Sequence, residues 1–110
     1  MENHVIVVGY GRIGKQVVDE LLNLGSKLIV VDENHELVIN NMGMPVKFIE
    51  GDATNDEVLI KAGIKTAKSL ISTLPNDADN LYVDLTARSL KHDLNIISRA
   101  SSESSEKKLR

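Results

Sequence analysis

The chain has 110 residues, a formal charge of −3, no cysteine and no tryptophan. That is the length of one domain, with room for a core but not for a cofactor domain and a substrate domain side by side. Disulfides, thiolate metal sites and cysteine nucleophiles are excluded. Three aromatic residues (Tyr10, Phe48 and Tyr82) and no basic block leave no footprint for nucleic acid.

In chain order, the first strand is expected over 4–8, where His4 leads into four aliphatic residues. The glycine-rich turn "GYGRIG" follows at 9–14 and opens a helix over 12–24. In that helix Ile13, Val17, Leu21 and Leu24 recur at helical spacing as one buried stripe, and Gly25 stops it. A second strand over 27–31 runs into Asp32, and a helix over 34–42 follows. A third strand over 46–49 ends in "EGDAT", ahead of a helix over 55–62. A fourth over 68–73 ends in "STLPND", after which Asn76 or Asp77 caps a helix over 76–92. A fifth strand spans 95–99. The tail from 101 places serines and acids before "KKLR", the charge order of a helix start. The domain therefore reads as cut short after its fifth strand.

Several strands are unbroken Val/Ile/Leu runs, which suit a parallel sheet covered on both faces. With β–α alternation and right-handed crossovers, the expected fold is α/β: a Rossmann-like, doubly wound sheet of strand order 3-2-1-4-5. The longest apolar runs fall far short of the roughly 20 residues of a membrane span. No secretory leader is visible, so the expected setting is cytoplasmic, with any membrane reached through a partner.

Gly9, Gly11 and Gly14 fit the dinucleotide-binding pattern, and they sit where it acts, between an aliphatic strand and an amphipathic helix. Asp32 ends the next strand 18 residues after Gly14. Gly9 allows the tight turn, Gly11 admits a pyrophosphate to the backbone, and Gly14 lets helix and strand close up. Tyr10 and Ile13 complete the loop. Arg12 within it is either a phosphate ligand or a solvated surface residue. Asp32 is placed to accept from ribose hydroxyls, to cap the next helix, or both. It is followed by Glu33 and no arginine, which disfavours a 2′-phosphate and hence NADP. Topology adds Asp52, Ala53 and Thr54 at the adenine end, with Asp52 alternatively a turn former beside Gly51. It also adds Thr73 and Leu74 at the point where strand order reverses, the threonine hydroxyl alternatively capping local backbone.

Catalytic groups are missing. "HELVI" at 35–39 lacks the second histidine of a zinc-protease helix. Neither tyrosine has a lysine four residues on, and no nucleophile elbow or phosphate-loop lysine occurs. His4, His35 and His92 lack metal-ligand spacing and read as surface or strand-end residues. The expected role is to sense a nucleotide rather than consume one. The rival is the cofactor-binding half of an NAD-dependent dehydrogenase, and a blander reading is an interaction module with an empty cleft.

The runs "NHVIVVGYGRIGKQVVDELL", "LIVVDEN", "VKFIEGDATNDEVLIKAGI" and "SLISTLPNDADNLYVDLTAR" resemble the N-terminal lobe of RCK/KTN (TrkA-N-like) domains over about residues 4–107. "GDAT" before a helix ending "AGI", and "LPNDADN" after the fourth strand, are more specific to that family than the glycines. The resemblance implies a cytoplasmic regulatory domain of a potassium channel or transporter, peripheral to the membrane and partnered with its pore subunit. It implies homo-oligomers from a dimer to an octameric ring, and a cleft for NAD(H) or for ATP, ADP or AMP. By motif, Gly9, Gly11, Gly14 and Arg12 would hold phosphates, Asp32 the ribose, and Asp52 and Ala53 the adenine, with Thr73 on the far side. No metal site transfers, because the calcium sites of some relatives lie outside the matched stretch.

Overall fold

Four consecutive aliphatic residues with both faces covered make a central strand, and Val5–Val8 is buried at every position. The computed structural model describes residues 1–98. In it β1 (Val5–Val8) is followed by α1 (Arg12–Asn23), β2 (Leu28–Asp32), α2 (His35–Asn40) and β3 (Lys47–Glu50). Then come α3 (Asp56–Lys61), β4 (Ser69–Ser72), α4 (Asp77–Leu90) and β5 (Asn95–Ser98). The order across the sheet is β3-β2-β1-β4-β5 and all four pairings are parallel, the Rossmann-like arrangement expected. Arg99 and the expected helix start beyond residue 101 lie outside the described residues.

Alternation along the strands divides the core in two. Val5, Val7, Leu28, Val30 and Ile71 face α1, where Val17 and Val18 meet them. Ile6, Val8, Ile29, Val31 and Leu70 face the other way, against Leu59 of α3 and Val83 and Ala87 of α4. The edge strands β3 and β5 are only partly covered.

Helix ends follow local chemistry. Asn34, Asn55 and Asn76 each accept a backbone N–H as the N-cap of α2, α3 and α4. Asn76 rather than Asp77 thus starts α4. The last turn of α1 closes with Ser26 N–H on Leu21 O and Gly25 N–H on Leu22 O, with Gly25 at φ 75°, a Schellman ending. One expectation fails there. Leu24 is 78% exposed, because it is the C-cap residue and its backbone has turned off the helical stripe.

His4 takes the strand-end place of its two expected settings and not the surface one. It is fully buried, with its Nε2 2.7 Å from Ala62 O, so it ties the start of β1 to the end of α3. His35 and His92 are exposed, and His35 Nδ1 lies 2.6 Å from a Glu50 carboxylate oxygen.

Helix α4 carries one unfavourable group. Asp84 accepts from the Ser98 hydroxyl, yet its Oδ1 is buried without a hydrogen-bond partner. Burial raises its pKa above the ordinary 3.8, against the lowering effects of Ser98 and Arg88. A carboxyl whose pKa is raised on folding favours the folded state once protonated, so its penalty is present at neutral pH and relieved as pH falls toward 3.8. Asp84→Asn should therefore raise the melting temperature at pH 7, with the advantage over the parent shrinking as denaturation scans move to acid. An advantage independent of pH would mean that the carboxylate's charge is not the cause.

Candidate functional site

At the carboxyl ends of the strands, where ligands of doubly wound sheets sit, lies a cavity of about 1150 Å³. That is slightly above the range typical of small-molecule sites. Eleven of the thirteen residues expected at a site line it: Gly9, Gly11, Arg12, Ile13, Asp32, Glu33, Asp52, Ala53, Thr54, Thr73 and Leu74. Tyr10 and Gly14 do not.

The three glycines have three different physical reasons. Gly9 has φ 98°, a conformation costly for any residue with a side chain. Gly14 does not line the cavity: a Cβ there would lie 2.0 Å from Gly9 O and 3.0 Å from Thr73 Oγ1. Its role is to let α1 sit on the end of β1. At Gly11 a Cβ would meet nothing within 4 Å. The protein's own packing does not require that glycine, which faces the cavity.

The N-terminus of α1 differs from the other three. Gly11 is its N-cap, no side chain caps it, and its first turn holds no acid. Its first N–H groups therefore keep unmet donor capacity, with the positive end of the helix dipole at the cavity. Arg12, the first helical residue, is exposed and is the one cationic side chain of the lining among the described residues. An anion such as a phosphate fits this end chemically.

Asp32 lines the same cavity. Its Oδ2 accepts Tyr10 N–H and its Oδ1 accepts Asn34 N–H, each at 2.8 Å. The cap of α2 is Asn34 and not Asp32. Since a carboxylate offers about four acceptor positions, capacity remains for two hydroxyls. Tyr10 serves the site through this backbone bond. Its ring is buried in the core, edge-on to Phe48 with centroids 5.1 Å apart, and burial, then the charge of Asp19, raises its pKa.

The remaining walls are turns fixed by side chains. Asp52 Oδ1 accepts both Thr54 N–H (2.9 Å) and the Thr54 hydroxyl (2.7 Å), so it is a turn former as well as a lining residue. Thr73 Oγ1 donates to Val8 O at 2.8 Å and Gly9 O at 3.1 Å. It clamps the end of β1 from β4, a backbone cap across strands. Sequence reasoning missed Asn80, which is fully buried. Its Nδ2 donates to Leu74 O at 2.7 Å, and its Oδ1 accepts Leu74 N–H at 3.0 Å and the Ser72 hydroxyl. That asparagine sets the β4–α4 turn. Gln16, Asn34, Leu37, Pro75, Asp79 and Tyr82 also line the cavity and were not expected there. "LPNDADN" was the available clue for Asp79 and Asn80.

The TrkA-N domain profile matches residues 5–110. The chain belongs to the TrkA-N domain family. This TrkA-N domain is 40% identical over 113 residues to the probable potassium channel protein 2 of Methanocaldococcus jannaschii, covering 100% of this chain and 33% of that protein. It thus spans about a third of that relative's length. Among solved structures it resembles the TrkA-N domain of the inner membrane protein ybaL from Escherichia coli. There the TM-score is 0.85 with 32% identity, over 89% of this chain and 73% of that one. The GsuK channel bound to NAD matches with a TM-score of 0.80 and 26% identity, over 89% and 18% of the two chains. The Shewanella denitrificans Kef CTD in AMP-bound form matches at 0.76 and 28%, over 87% and 57%.

The glycines of this TrkA-N domain give a paired prediction. Gly14→Ala should lower the melting temperature severely or prevent folding, because the Gly9 backbone directly after β1 would have to move. Gly11→Ala should melt within a degree or two of the parent, as nothing surrounds the added methyl. The two variants behaving alike in thermal denaturation would contradict these assigned roles.

Proposed function

We propose that this domain is a nucleotide-sensing regulator of a potassium channel or transporter. The observation that carries the reading is one cavity lined both by an uncapped helix end with Arg12 and by a carboxylate, Asp32, that has acceptor capacity left. This pair suits the phosphate and ribose of an adenine nucleotide, NAD(H) or ATP, ADP or AMP. The NAD-bound and AMP-bound relatives support that choice of ligand, and the potassium channel relative supports the setting.

The lining carries Asp32, Glu33, Asp52 and Asp79 against Arg12. This balance disfavours a 2′-phosphate beside Asp32, and therefore NADP. A sensing role rather than hydride transfer is supported by the potassium channel relative. Among the described lining residues there is no histidine, lysine or serine, and the hydroxyls of Thr54 and Thr73 are spent on protein acceptors. In this reading the domain works in homo-oligomers on the cytoplasmic side of a membrane, attached to a pore-forming partner. No helix of the described residues is long and apolar enough to cross a membrane.

Calorimetry on the folded chain with NAD, NADH, ATP, ADP, AMP and NADP is the direct test. At least one of the first five should bind saturably, and NADP should bind more weakly than NAD. No binding by any of the five overturns the reading. Arg12→Gln should weaken ADP by roughly fivefold, about 1 kcal/mol for an exposed charged hydrogen bond, with the fold unchanged. An unaltered ADP affinity would place the phosphates elsewhere.

A further inference from the structure

Tyr82 is a large aromatic residue left 66% exposed on α4, whose Asn80, Val83 and Ala87 are buried. Leu81 and Leu85 are exposed beside it, but of the three only Tyr82 lines the cavity. Beside it Thr86 donates its hydroxyl to Tyr82 O at 2.9 Å, and the same hydroxyl lies 3.5 Å from Thr54 O, which sets this part of α4 next to the turn at 52–54. In that turn the bonds from Thr54 to Asp52 hold the chain so that Ala53 is buried. Tyr82 and the Asp52–Thr54 turn both line the cavity and are linked through Thr86.

We propose that Tyr82 stacks on the base of the bound nucleotide. Flat heteroaromatic rings gain from a parallel or offset aromatic neighbour beyond the area they bury. A base-sized ligand here would cover a ring that the fold leaves in water. The inference rests on the nucleotide reading above and adds to it the residue that holds the base. The base is shared by NAD, ATP, ADP and AMP, so Tyr82 sets the affinity for their common adenosine part and not the choice among them. One aromatic holding one base differs from the multi-ring platforms that the composition excludes.

The test uses AMP as the probe, on the 110-residue chain and its Tyr82→Leu and Tyr82→Phe variants, with melting curves to establish folding. Tyr82→Leu should weaken AMP, ADP and NAD by a common factor of about five to ten, while Tyr82→Phe stays within about twofold of the parent. The chain has two tyrosines and no tryptophan, so fluorescence reports on the ring itself. Saturating AMP should quench tyrosine emission in the parent but not in Tyr82→Phe, where only buried Tyr10 remains. Equal AMP affinity in Tyr82→Leu and parent, or emission unchanged at saturation, overturns the stacking role. So does an equal loss in the leucine and phenylalanine variants. Unchanged AMP affinity with altered self-association would assign the ring to an interface between copies instead. A parent chain that binds none of the nucleotides fails earlier, on the nucleotide reading, and the proposal falls with it.

Discussion

The missing side chain at residue 14 governs the geometry of the cavity. Helix α1 starts flush against the end of β1 only because a Cβ that would lie 2.0 Å from Gly9 O is absent. That approach brings the open N-terminus of the helix to the floor of the cavity instead of a turn away from it. The loop between them is then pinned from both neighbours of the central strand. Asp32 on β2 accepts Tyr10 N–H, and Thr73 after β4 donates to Val8 O and Gly9 O. A loop held at three points costs little ordering when a ligand arrives.

Charge then decides what such a pocket tolerates. Each oxygen of Asp32 already accepts one backbone donor, which fixes the carboxylate without exhausting it. With Glu33, Asp52 and Asp79 it makes acids the prevailing charge of an otherwise neutral lining, with Arg12 and the end of α1 as the exception. Anionic groups are therefore welcome at one place. Neutral donors, such as sugar hydroxyls or an exocyclic amine, suit the rest. That division matches the layout of a nucleotide better than that of a compact polyanion.

Much of this was legible in the residues, and the exceptions share a physical cause. Unbroken aliphatic runs marked the strands because a doubly covered sheet needs them, and Gly25 marked the end of α1 through its positive φ. Spacing locates backbone, however, and does not say which way a side chain turns. Tyr10 sits inside the glycine motif, yet its ring fills the core beside Phe48. Leu24 continues the stripe on paper, but it falls where the helix has already begun to unwind into its cap. His4 resembled a polar residue at a strand edge until the α3–β4 connection was seen to close over it and receive its Nε2. Asn80 and Tyr82 were missed because a helical residue meets a cavity through the packing of its helix, and no local pattern records that packing.

Helix α4 ties these parts together. Asn80 fastens it to the β4 turn, Thr86 to the turn after β3, and Asp84 to β5. Asp79 and Tyr82 line the cavity, while Leu81 and Leu85 stay exposed outside it. The proposed sensing role requires an element that the ligand touches on one side and another surface can touch on the other, with enough stiffness between them that a displacement is passed on. A 14-residue helix fixed at three side chains meets that mechanical requirement. The six-residue helices α2 and α3 are shorter levers. Of the three attachments the Thr86 contact is the longest, at 3.5 Å, while the one to β5 combines the Ser98 hydrogen bond with a carboxylate oxygen buried without a partner.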